Sequence, residues 1–97
     1  MELNEIRNSI DSVDERLLKL FLERMDLSEQ VAAYKQAHSL PLLNKTRERE
    51  ILARVSEQAG EREPYAYQLF TTLFELSKAR QRELYAQPST VRAQVER

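Results

Sequence analysis

Leu3, Ile6, Ile10, Val13, Leu17, Leu20, Arg24, Leu27, Val31 and Tyr34 recur at steps that alternate three and four. That spacing places all ten side chains on one face of one helix. No Gly or Pro falls between Leu3 and His38, and Pro41 prevents continuation. The spacing predicts a helix of ~36 residues and ~54 Å. A compact domain of this size has a radius of gyration of only ~13 Å. The helix therefore overshoots anything its own chain can build against it. A homodimer, in which two long helices pack together, is the simplest remedy.

The rest of the chain reads as two shorter helices. Asn44 is placed to cap a second helix that runs through Ile51, Leu52 and Val55 to a stop at Gly60. Pro64 suits the first turn of a third. Its stripe runs Ala66, Phe70, Leu73, Ser77 and Leu84, broadened by Leu69, Phe74 and Leu76. The expected domain covers residues 1–87. Residues 88–97 read as a fraying tail or the start of a linker.

Composition agrees and excludes several function classes. The 97 residues are 41% hydrophobic and 32% charged, with one Gly and three Pro, which suits an all-α domain. A net charge of −1 argues against a general nucleic-acid binder. Without cysteine there is no disulfide framework or thiolate metal site, and a single histidine excludes a histidine-rich one. No apolar run approaches the ~20 residues that span a bilayer. The N-terminus is acidic and polar, unlike a signal peptide. The expectation is a soluble, cytoplasmic domain without membrane or nucleic-acid partners.

Arg24 is the exception on the long apolar stripe. A buried guanidinium costs several kcal/mol unless an anion meets it. Either an acidic side chain pairs with it in the core or an anionic ligand does. Lys35 lies eleven residues further along the same face, ~16 Å on. The two long side chains are placed to grip a small dianion. Ser77 and Gln81 share the stripe of the third helix at i, i+4, and Glu48 lies one turn before Ile51 and Leu52, with Arg47 beside it. Each signal has a plainer reading. A seam arginine is often a core ion pair or a register device. Ser77 suits close packing, Gln81 a solvated helix end, and Lys35 can snorkel to water. Arg47 and Glu48 belong to a charged run, and His38 reads as an exposed helix-end residue without a role.

Together these residues resemble the all-α (AroQ-type) chorismate mutases. The resemblance rests on Ile6-Arg7, Ile10-Asp11, Asp14, Leu17-Leu18, Leu20, Arg24, Lys35, Arg47-Glu48, Glu50, Ser77 and Gln81, and covers about residues 3–86. It implies a three-helix protomer, intertwined as a dimer with two equivalent sites. The implied reaction converts chorismate to prephenate by a Claisen rearrangement, a step toward phenylalanine and tyrosine. It needs no cofactor, metal or nucleophile.

By resemblance, Arg24 binds a substrate carboxylate and Arg7 reaches the same substrate from the partner chain. Arg7 and Arg24 are ~25 Å apart along one helix, which agrees. Lys35 contacts a carboxylate and the ether oxygen, and Gln81 is the second donor to that oxygen. Ser77 contacts a carboxylate. Glu48 accepts the ring hydroxyl, with Arg47 orienting it. Asn44, also implied to bind substrate, stands where the bacterial pattern has aspartate: the change is harmless for a backbone contact and weakens ring-hydroxyl recognition for a carboxylate one. Lys78 is more polar than expected beside a pocket and reads as turned outward. Competing readings are an isochorismate pyruvate-lyase on the same fold, a non-catalytic helical dimerisation or regulatory module, and one domain of a larger shikimate-pathway fusion.

Overall fold

The computed structural model describes residues 2–86. The expected tail, residues 88–97, lies outside them. Helix α1 spans Leu3–Ala37, α2 Lys45–Ala59 and α3 Glu63–Ala86, with a single 3-10 turn at Gly60–Arg62 between the last two. No strand occurs among the described residues, and the fold is all-α as expected. No helix among them is long and apolar enough to cross a membrane.

The termini follow from local chemistry. α1 stops in a Schellman arrangement: the Leu40 N–H donates to the Lys35 carbonyl at 2.8 Å and the Ser39 N–H to that of Gln36 at 3.3 Å. Ser39 takes the left-handed conformation, φ 53°, that this motif needs and glycine normally supplies. Pro41 follows, where it cannot resume the helix. The side-chain oxygen of Asn44 accepts from the Arg47 N–H at 3.0 Å, so the predicted cap of α2 is formed. At the far end Gly60 adopts φ 60° and turns the chain into α3 with only the 3-10 turn between them. The Ser56 hydroxyl donates to Glu63 across that corner at 3.1 Å.

The hydrogen bonds between helices fix their directions. Arg24 meets Ser77, Ser28 meets Gln81 and Ala32 meets Tyr85. Each step of four on α1 is answered by a step of four on α3, so these helices run parallel at a constant offset of 53 residues. Contacts of Glu48 with Lys78 and Ser56 with Glu63 make α2 antiparallel to α3.

Little of this protomer is buried. Its buried residues, among those described, are Ala32, Phe74, Ser77 and Gln81. Two of these four are polar, which is unusual for so small a core. At the offset of 53, the first residue of α3 is level with Ile10, so Leu3 and Ile6 project past the end of α3. Ile10, Leu17 and Leu20 are 52%, 54% and 61% exposed. The radius of gyration is 17.8 Å, well above the ~13 Å of a compact domain.

Candidate active site

Arg24 lies where α1 crosses the middle of α3. Its guanidinium donates to the Ser77 hydroxyl at 3.2 Å and sits 5.6 Å from the centre of the Phe74 ring. Both contacts hold the group in place, and the ring face favours a cation. Neither neutralises it. No carboxylate pairs with Arg24 among the described residues. Of the two explanations for a seam arginine, a core ion pair is absent.

One turn further along, Gln81 reaches from α3 to α1. Its Nε2 donates to the Ser28 carbonyl at 3.1 Å and to the Ser28 hydroxyl at 3.0 Å. Beyond it the Tyr85 hydroxyl donates to the Ala32 carbonyl at 2.7 Å. These three rungs set the α1–α3 register. Lys35, in the last turn of α1, donates to the Leu42 carbonyl at 3.1 Å. The loop after α1 therefore holds its ammonium. An ammonium has three donors, so two remain beyond that bond.

These groups meet at one cleft of about 320 Å³, at the small end of ligand pockets. Arg24, Lys35, Asn44, Arg47, Glu48, Ser77 and Gln81 all line it, on three helices that are distant in sequence. Leu27, Val31, Leu42, Ile51 and Phe74 supply apolar wall between them. Arg7 does not line it: it is exposed on the N-terminal half of α1, far from the cleft of its own chain. No grouping of His, Asp or Glu suited to a metal ion occurs among the described residues.

The acidic corner differs from expectation. Arg47 faces Glu50 at 3.9 Å, in a loose and largely exposed pair. Glu48 is held instead by Lys78, at 3.0 Å. Lys78 lines the cleft and is not turned outward. Asn44 gives its side-chain oxygen to the helix cap. Arg80, outside the cleft, has its pKa raised by its hydrogen bonds to Glu83 and Glu29 and remains a cation. Two cleft residues, Ser28 and Lys78, were not singled out as functional from sequence. Ser28 follows Arg24 by four residues, the one available signal.

The family profile described as chorismate mutase type II matches residues 6–82. The chain belongs to this family. A chorismate mutase of Methanocaldococcus jannaschii is 34% identical over 85 residues, 84% of this chain and 86% of that protein. A bifunctional chorismate mutase/prephenate dehydratase of Aquifex aeolicus is 39% identical over 54 residues, 56% of this chain and 15% of the relative. The T-protein of Haemophilus influenzae is 41% identical over 46 residues, 47% of this chain and 12% of the relative. No solved structure matches significantly. The matched span of this chorismate mutase family member includes every residue named above as lining the cleft.

Proposed function

We propose that this cleft converts chorismate to prephenate, with Arg7 supplied by a second copy of the chain. Family membership makes the chain a chorismate mutase. The observation that supports this location is the convergence of Arg24, Lys35, Ser77, Glu48 and Gln81 on one cleft, with no internal carboxylate paired to Arg24.

A pericyclic rearrangement requires no base and no covalent intermediate. The protein must hold a flexible dianion in its reactive conformer and stabilise charge that grows on the ether oxygen. Arg24 and Ser77 bind one carboxylate, and the partner's arginine at position 7 binds the other, fixing a near-attack geometry. Lys35 and Gln81 donate to the ether oxygen as its bond to the ring breaks. Gln81 Nε2 contacts two oxygens of Ser28, which aims the amide at the cleft wall from which it meets the ether oxygen. Glu48 accepts the ring hydroxyl. Arg47 and Asn44, which also line the cleft, complete the substrate site. The apolar wall excludes water and strengthens each of these interactions.

The dimer belongs to the same proposal. The exposed stripe Leu3, Ile6, Ile10, Val13, Leu17 and Leu20 is longer than single surface hydrophobes explain. It continues into an apolar groove of about 660 Å³ between Leu17, Leu20 and Phe21 of α1 and Leu69, Phe70, Leu73 and Leu76 of α3. Residues 1–87 form the mutase domain and 88–97 a tail or linker. The same proposal assigns the protein to the cytoplasm, where such a biosynthetic step would run.

The test is loss of chorismate absorbance, with product identification, for wild type and Arg24→Ala. The expected result is prephenate from wild type and at least ~100-fold slower turnover by the variant. Salicylate and pyruvate from isochorismate would assign the lyase reaction instead. Absence of turnover of either compound by a folded protein would overturn the enzymatic reading.

A further inference from the structure

We propose that Lys78 is the positioning residue for Glu48, and that through Glu48 it sets recognition of the substrate's ring hydroxyl. The inference rests on the mutase reading of the cleft. Three observations carry it. First, Lys78 holds both oxygens of Glu48, Oε2 at 3.0 Å and Oε1 at 3.3 Å. Two contacts from one ammonium fix the plane of the carboxylate, where one would leave it free to rotate. Second, the pair is sheltered: the side chains are 22% and 26% exposed, and both line the cleft. Third, among the described residues no other cation is paired with Glu48. Arg47, adjacent in sequence, is directed at Glu50 and is 58% exposed. Among the described residues Lys78 has one further acidic neighbour, Glu75, at 3.9 Å and mostly exposed.

The cleft has a physical need for such a partner. A carboxylate placed beside two substrate carboxylates repels both of them. It also has other cations within the cleft, Arg24 and Lys35, to which it would otherwise turn. Pinned by Lys78, Glu48 keeps its remaining lone pairs for a hydroxyl donor and leaves Arg24 and Lys35 to the substrate. The bridge joins the first turn of α2 to the C-terminal half of α3, so the acceptor is held by the same helix that carries Ser77 and Gln81.

The test compares kcat and KM for chorismate in wild type, Lys78→Met, Lys78→Arg, Glu48→Gln and the Glu48→Gln/Lys78→Met double variant. Helicity and melting temperature are followed for each. A hydrogen bond to a charged group is worth a factor of about 10 to 100. Lys78→Met is expected to lower kcat/KM by about that factor, and Lys78→Arg to recover most of it. The double variant should be no slower than Glu48→Gln, because Lys78 has nothing left to position. A chorismate analogue lacking the ring hydroxyl should be slowed less by Lys78→Met than chorismate is. Multiplicative losses in the double variant, or an equal loss with the analogue, would overturn the inference by showing that Lys78 acts on the substrate directly or on the fold. Wild-type kinetics in Lys78→Met would overturn it as well. Wild-type protein without chorismate turnover would sink the mutase reading itself, and this inference with it.

Discussion

Lys35 has the clearest division between structure and chemistry. Among the described residues its side chain bonds the Leu42 carbonyl in an irregular loop, so removing it leaves no buried charge unpaired. Its proposed partner is an ether oxygen that gains negative charge only as the reaction proceeds. Loss of such a donor costs ~3 kcal/mol, a factor of over 100. Lys35→Ala should therefore lose at least that factor in kcat while keeping its oligomeric state and melting temperature, as followed by absorbance and circular dichroism. Gln81 makes a different prediction. A neutral amide has no titration in water, so the second donor is present at every working pH. Turnover should stay flat between about pH 5 and 7, the range above an ordinary carboxylic acid. A steep fall across that range would mean that a protonated carboxyl serves as the donor. The polar residues of this cleft were legible because they interrupt apolar stripes whose period is unambiguous. Their partners were not. Ser28 meets Gln81 only because α1 and α3 lie at an offset of 53 residues, and Lys78 meets Glu48 only because α2 packs antiparallel to α3. Register between helices is a property of packing, which a single sequence does not display.

At the scale of elements, the helix boundaries were readable from residues with one dominant local preference. Pro41, Asn44, Gly60 and Pro64 each have a mechanism for ending or starting a helix, and the ends lie beside them. The left-handed Ser39 was not readable, since serine has no preference for that conformation. An L-residue there costs about 1 kcal/mol or more, which glycine avoids. Glycine returns part of the gain through its freer unfolded chain. Ser39→Gly should thus raise stability by ~0.5–1 kcal/mol, measured by urea unfolding at fixed protein concentration. The stop at Ser39 also starts the loop that holds Lys35 through Leu42, so its geometry bears on the cleft. The opposite outcome is expected at the start of α2. Asn44→Ala removes the acceptor for the Arg47 N–H and should lower stability by ~1 kcal/mol. At the α2–α3 corner the stop at Gly60 and the start at Pro64 fall where the sequence puts them, and a 3-10 turn fills the interval between them.

At the scale of the molecule, the proposed dimer accounts for the apolar surface that the single chain leaves exposed. Its apolar stripe is exposed from Leu3 to Leu20, and burying each such Leu or Ile is worth about 1.5–3 kcal/mol. A charge in that stripe, as in Ile10→Asp, should therefore yield monomers by light scattering and abolish turnover, although Ile10 is remote from the cleft of its own chain. The arginines give the sharper test. If each site takes Arg24 from one chain and Arg7 from the other, Arg7→Ala and Arg24→Ala dimers are both deficient at both sites. Mixing the two variants by unfolding and refolding them together creates heterodimers. In each, one site inherits both lesions and the other inherits neither. Equal mixing makes half the dimers heterodimeric, so the mixture should recover about a quarter of wild-type activity from two nearly inactive proteins. Sites built within single chains have no route to such recovery, because every chain in the mixture carries a lesion. The outcome thus separates a dimer that merely covers apolar surface from one that completes its catalytic cleft with the partner's arginine.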